Sequence, residues 1–212
     1  MRAPQLGIVV GLADEADIAR QFGGILRISG GTAAGAKQAV ESCIASGARA
    51  LLSFGYAGGL DPALKAGTLI VPETLIAGEL RIETDLVLSR MDDQRGGTMV
   101  STSWPVLSPA EKRKLFIETG AIAVDLESGP VARAAQAHKL PFGVLRAVCD
   151  PADRVVPPWA AHAISAKGKP RILHVLRHGI VNPGKLTRLA GDASAARRAL
   201  TEYVAMLTKG RA

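Results

Sequence analysis

Short apolar runs of strand length that alternate with amphipathic stretches predict an α/β fold, a three-layer α/β/α sandwich with a mixed central sheet. Two further observations bear on this. Several strand-like runs follow one another near the middle of the chain, which points to a mixed sheet rather than a purely parallel one. Glycine clusters and carboxylates also stand at the C-terminal ends of apolar runs, where open α/β sheets bind their ligands.

Taken in order, strands are expected at Gln5–Gly11, Ile25–Ser29, Ala48–Gly55, Thr68–Ile76, Leu80–Leu88, Thr98–Ser101, Ile122–Asp125 and Phe142–Cys149. Helices are expected at Asp14–Gln21, Thr32–Ser46, Pro109–Thr119 and Ser128–His138, with two more near the end. Ser108 and Pro109 open the third of these as a capping serine and a first-turn proline, and Glu111 reinforces the cap. Asn182-Pro183-Gly184 is the clearest breaker and separates the two C-terminal helices. With neither repeat nor long linker, one domain spanning 1–212 is the simplest organisation, with a basic helical extension from about residue 157.

Apolar residues make up 48% of the chain and charged residues 21%, a balance that excludes a disordered chain. No uncharged apolar run reaches the roughly 18 residues that cross a bilayer. Leu6–Ala13 has the length of a signal-peptide core, but two glycines and the adjoining Asp14 and Glu15 make it a strand. Cys43 and Cys149 cannot form a disulfide framework and have no metal-ligand neighbours, so no metal is expected and the reducing cytoplasm is the natural compartment. The net charge is +7, and seven Lys or Arg with no Asp or Glu lie between Arg154 and Gly191. The rest of the chain is therefore neutral. His162, His174 and His178 share that basic stretch.

Four segments could carry chemistry. Ser53-Phe54-Gly55-Tyr56-Ala57-Gly58-Gly59-Leu60 follows a buried strand, and its glycines suit either a close backbone–ligand approach or a tight turn. It lacks the following helix of a dinucleotide fingerprint. Gly30-Gly31-Thr32 precedes a helix and falls short of a Walker loop because Ala36 stands where Lys is required. It suits an anion at a helix N-terminus, or a plain strand–helix turn. In Asp125-Leu126-Glu127, two carboxylates straddle an apolar residue where a strand gives way to a helix. A buried carboxylate there could hold a vicinal diol; read alone, a solvated helix start fits better. Asp150 ends a strongly apolar strand, which should desolvate it partly and raise its pKa as a general acid requires, although Asp-Pro also initiates turns. Arg146, inside that strand, is expected to pair with a buried carboxylate and to be structural.

In this order the segments resemble the purine nucleoside phosphorylase family, with methylthioadenosine/adenosylhomocysteine nucleosidases as its nearest well-known branch. The resemblance rests on Gly7-Ile8-Val9-Val10-Gly11, on the Gly55–Leu60 turn with Leu64-Lys65-Ala66-Gly67-Thr68 after it, on Ala123–Glu127 and on Arg146–Asp153. It spans roughly residues 5–165 and implies a nucleoside phosphorylase-like fold and cleavage of a purine N-glycosidic bond. Within the superfamily the chain is most similar to the hopanoid-associated phosphorylases, short members with a basic C-terminal extension that are thought to remove adenine from adenosylhopane.

The resemblance assigns roles. Asp150 is the general acid that protonates the departing purine, and Glu127 holds the ribose diol. Glu15 is the acid that activates water, although Ala16 is its direct counterpart in register. Tyr56, Ala57, Gly58, Leu126, Asp125 and Trp104 contact base or sugar. Gly11, Gly31 and Ser53 mark the phosphate or water position. Hexameric phosphorylases carry a phosphate-binding Arg where Ser53 stands, so phosphate and water are both open as nucleophile, and no other co-substrate or cofactor is implied. The shortness of Gln21–Ser29 suggests a missing hairpin and a pocket open to a large apolar ribose substituent. A homodimer is implied by analogy.

Lys167–Arg188 interleaves charge with Ile172, Leu173, Val175, Leu176, Ile180 and Val181. Such a stretch either packs as a surface helix or lies on anionic lipid, where each basic residue contributes about 1 kcal/mol. That second reading makes the protein cytoplasmic and peripheral on the inner face of the membrane. Trp159 sits near the expected site loops. The last helix turns Leu186, Leu189, Ala193, Ala196, Leu200, Tyr203 and Leu207 to one face, as a core or dimer contact. Two other classes remain: a non-catalytic purine-binding module, and a nucleic-acid surface, the latter disfavoured because Lys167–Arg188 lacks aromatics for base stacking.

Overall fold

A computed structural model describes residues 5–84, 94–157, 168 and 183–209. Among these residues ten strands form one mixed sheet: β1 Leu6–Val10, β2 Ile25–Ile28, β3 Ala50–Gly59, β4 Leu69–Ile70, β5 Thr74–Ala77, β6 Leu80–Glu83, β7 Gln94–Arg95, β8 Thr98–Ser101, β9 Ala123–Asp125 and β10 Phe142–Asp150. The helices are α1 Ala13–Ala19, continued by a 3-10 turn Arg20–Phe22, α2 Ala33–Ala45, α3 Pro109–Thr119, α4 Ser128–His138 and α5 Pro183–Lys209.

Alternation along the strands sends side chains to two cores. Val9, Leu51, Val144 and Val148 pack beneath α2 and α4, whose small residues Ala36, Ala39, Ala132 and Ala135 let the helices come close. Ile8, Val10, Leu52, Phe54, Leu145 and Ala147 face the other way, onto α1 and α5. On α5, Ala196, Leu200, Tyr203 and Val204 are buried, each large side chain there contributing about 1.5–3 kcal/mol. The apolar face expected of the last helix is thus core over this stretch, whereas Ala193 is exposed.

The order β6-β5-β8-β9-β3-β10-β4-β7 places β3 at the centre. β10 runs parallel to it along one edge. On the other edge β1 pairs with Leu-rich Ala50–Phe54, and antiparallel β9 takes over at Gly58 and Gly59. Between these partners, over Gly55–Ala57, that edge of β3 is unpaired. This gap positions the site.

Three expectations are corrected. The glycine cluster after Ser53 is not a turn: β3 continues to Gly59, because β10 and β9 carry its ladder past the bend at Gly55. Thr68–Ile76 is two strands rather than one, since Pro72 cannot donate to a ladder, and the break carries the chain from one end of the sheet to the other. The short, polar β7 has no apolar signal and was not anticipated. The 85–88 part of the expected Leu80–Leu88 strand lies outside the described residues, as do Trp159, the three histidines of the basic stretch and, within 167–188, residues 167 and 169–182. Helix α5 starts at the Pro183 breaker. No helix among the described residues is long and apolar enough to cross a membrane.

Candidate active site

The gap in the β3 edge is filled by a carboxylate. Glu15, in the first turn of α1, is buried and turns back over its own N-terminus. Its Oε2 accepts from the N–H groups of Gly11 (2.8 Å) and Leu12 (2.7 Å), and its Oε1 from the N–H of Tyr56 (2.8 Å). Gly55 has φ +145°, and any Cβ there would collide with the Glu15 carboxyl, so glycine is required twice over. Burial pushes the Glu15 carboxyl up to about 8, with repulsion from Glu127 adding to it, while Arg146 and the amides of Leu12 and Tyr56 pull it down. Ala16, the direct counterpart in register, is a core residue.

Glu127 stands where β9 gives way to α4 and is also buried. Its Oε1 accepts from the Ser29 hydroxyl and its Oε2 from Arg146 at 3.1 Å. Burial raises its carboxyl above the ordinary range, and Asp125 adds to this; Arg146 and Ser29 act in the opposite direction. Arg146 itself is 0% exposed. Besides Glu127 it binds Asp125 Oδ2 at 2.6 Å and donates to Ser53 Oγ at 2.6 Å. Burial works against its charge, but Asp125, Glu127 and Glu15 outweigh that and push its pKa up. The expected structural pairing of Arg146 is what the structure holds.

Asp150 ends β10 beyond an irregularity at Cys149 that sets it opposite Gly58. Its side chain is 15% exposed, so it is partly desolvated as expected, but it is not alone. Lys112 Nζ lies 2.7 Å from Oδ2, and the Cys149 thiol donates to Oδ1 at 3.2 Å. Lys112 also donates to the carbonyls of Asp150 and Pro151, both at 2.9 Å, and of Arg154 at 3.3 Å. No sequence signal singled Lys112 out, since a lysine in the first turn of a helix reads as a solvated surface group.

The remaining expected residues divide. Tyr56 is half-buried; its hydroxyl donates to Asp14 Oδ2 at 2.8 Å, and burial next to Asp14 keeps that hydroxyl neutral. A Cβ at Gly58 would lie 3.1 Å from Asp150 Oδ2, whereas Ala57 is buried in the core beneath α2 and α4 and Leu126 is half-buried. Asp125 is not placed to meet a sugar: it is buried, pairs with Arg146 and accepts from Ser128 Oγ at 2.5 Å and from the Ser128 N–H. Trp104 is 60% exposed, neither core nor enclosed pocket wall. Gly11, Gly31 and Ser53 leave no amide or hydroxyl set open for an anion. The Gly11 N–H goes to Glu15, the Gly31 N–H to Ser29 Oγ at 3.1 Å, and Ser53 Oγ is fully buried between Arg146 and Ser128.

These features define an α/β protein with the nucleoside phosphorylase and nucleosidase fold, with Glu15 and Asp150 against the C-terminal part of its central strand and Glu127 at the end of β1. Residues 92–178 match the sequence model of the Phosphorylase superfamily. The structure is similar over nearly its whole length to the methylthioadenosine/adenosylhomocysteine nucleosidase of Neisseria meningitidis in complex with methylthio-immucillin-A (TM-score 0.70, 19% identity, covering 98% of this chain and 100% of that one). It is similar also to a Helicobacter pylori nucleosidase mutant with 5'-methylthioadenosine in its active site (0.65, 18%, 97% and 100%). A third match is futalosine hydrolase of the same bacterium (0.66, 20%, 96% and 98%). No curated protein matches the chain by sequence.

Proposed function

We propose that the protein hydrolyses the N-glycosidic bond of a purine nucleoside. The observation that carries this reading is the placement of three carboxylates around the gap between β1 and β9: Glu15 against Gly55 and Tyr56 of β3, Asp150 against Gly58, and Glu127 against Gly11 at the end of β1. Glu127 binds the ribose hydroxyls and stabilises positive charge as the bond lengthens. Asp150 gives a proton to the imidazole half of the base, which departs with the bond's electron pair as a neutral molecule. Glu15 takes a proton from water as the oxygen adds to the ribose carbon. Water is favoured over phosphate because the amides of residues 11 and 56 are already taken up by the Glu15 carboxyl and are not open to a phosphate.

The base is adenine in this reading, and the nucleoside carries a large apolar substituent, as in adenosylhopane. Trp104 and Val155 support it: they are 60% and 52% exposed on two loops joined by the Val156 N–H to Leu107 carbonyl bond, just beyond Asp150. The cationic stretch Lys167–Arg188 provides the matching contact with anionic lipid. The structural likeness to methylthioadenosine nucleosidases favours a second reading, a small soluble nucleoside. Chromatographic detection of free adenine from adenosylhopane, methylthioadenosine and adenosine, with and without phosphate, separates them. Adenine is expected without phosphate and fastest from the apolar nucleoside. Release that requires phosphate would overturn the hydrolytic assignment, and no release from any nucleoside would overturn the reading altogether. Sedimentation with anionic vesicles that weakens in high salt tests the membrane contact, and analytical ultracentrifugation tests the proposed homodimer.

A further inference from the structure

Lys112 is in an unfavourable place for a lysine. It occupies the first turn of α3, where the helix dipole opposes a cation, and its side chain is 0% exposed. The turn is fixed by a complete cap: the Ser108 hydroxyl accepts from the Glu111 N–H at 3.2 Å, and Glu111 Oε2 accepts from the Ser108 N–H at 2.9 Å. Burial of an ammonium there is offset only by what it touches. All of its recorded partners lie in the segment that carries Asp150: one carboxylate oxygen and the carbonyls of Asp150, Pro151 and Arg154.

We propose that Lys112 is the positioning residue for Asp150 in the reaction described above, on which this inference rests. The ammonium occupies Oδ2, leaving Oδ1, whose one partner among the described residues is the weak Cys149 thiol donor, as the oxygen that carries the proton to the base. The same ammonium gathers the carbonyls of the turn and so fixes the carboxyl's direction. Arg154 completes the clamp from outside: its N–H bonds the Pro151 carbonyl at 2.9 Å and its guanidinium pairs with Asp192 of α5 at 2.5 Å. The charged and titratable groups around Asp150 are therefore Lys112, Cys149 and, across the turn, Arg154 with Asp153 and Asp192.

The test compares two leaving groups in the full-length protein. Adenine must be protonated as it leaves, whereas 4-nitrophenolate from 4-nitrophenyl riboside departs as an anion and needs no acid. Asp150→Asn and Lys112→Gln should each lower kcat for the purine nucleoside by about 100-fold or more, with little change in KM, and leave 4-nitrophenyl riboside cleavage within about threefold. The double variant should be no slower than the slower single one. Lys112→Arg, which keeps the charge, should recover part of the purine activity. The inference is overturned by Lys112→Gln that cleaves the purine nucleoside at the normal rate. It is equally overturned if Lys112→Gln and Lys112→Arg lose both substrates together with a fall in Tm, which marks a purely structural residue. Failure of Asp150→Asn to discriminate between the substrates would instead remove the functional reading beneath it.

Discussion

Gly11 and Glu127 share one space: a Cβ built on Gly11 would lie 2.6 Å from Glu127 Oε1. The absence of a side chain at the end of β1 is what lets the carboxylate reach Ser29 and Arg146 together. Gly11→Ala should therefore displace Glu127 rather than unfold the protein. A loss of about 1–3 kcal/mol in stability is expected from the overpacking, with a much larger proportional loss of base-release activity. Parallel denaturation and rate measurements check this, and the sequence-distant Gly55→Ala should be the more destabilising of the two because its φ of +145° is also lost.

Glu15 makes stability depend on pH in a stated direction. Its ordinary value is 4.5 and burial raises it to about 8 in the folded protein. Between those values the folded state binds more protons than the unfolded state, so stability falls as pH rises from about 4.5 to 8. Denaturant titrations across that window should show the decline, and Glu15→Gln should flatten it. A water-activating Glu15 must be ionised, so the hydrolysis rate should climb through the same range, and Glu15→Gln should abolish that limb of the pH–rate profile.

Removing Arg146 leaves Asp125 and Glu127 buried without their cation. Arg146→Met should cost about 3–5 kcal/mol by chemical denaturation. Adding Asp125→Asn and Glu127→Gln in the same chain should return part of that loss, because the penalty comes from uncompensated charge and not from the missing volume. If the triple variant is no more stable than Arg146→Met, charge pairing is not what Arg146 supplies.

Both cysteines should be slow nucleophiles. Burial pushes the Cys43 thiol up to about 11, and burial together with Asp150 pushes Cys149 well above its usual range. Iodoacetamide at pH 8 should label neither in the native protein and both after denaturation, as read by mass spectrometry. Rapid native labelling of Cys149 would mean that its hydrogen bond to Asp150 is not persistent.

The fold was legible where one physical signal dominated. Pro109–Thr119 starts where its Ser108 cap and first-turn proline predict, and Thr98–Ser101 is a strand over the range expected. Glu127 and Asp150 were legible as acids at strand ends, and Glu15 through the family resemblance. Their partners were not, because Ser29 lies 98 residues from Glu127 and Lys112 38 from the Asp150 carbonyl. Pairings over such separations leave no periodicity in the chain. Gly55–Gly59 misled for a related reason: glycines signal a turn locally, and only the arrival of β9 and β10 from far along the chain keeps them extended.

Helix α5 touches both ends of this arrangement. Arg197 reaches Asp14, the acceptor of the Tyr56 hydroxyl, at 3.4 Å, and Asp192 holds Arg154 above the Asp150 turn. Every other element of the cluster precedes α5 in the chain. During synthesis the three carboxylates therefore emerge from the ribosome before Asp192 and Arg197, so the contacts that tie α5 to Arg154 and Asp14 form after the rest of the cluster has been made.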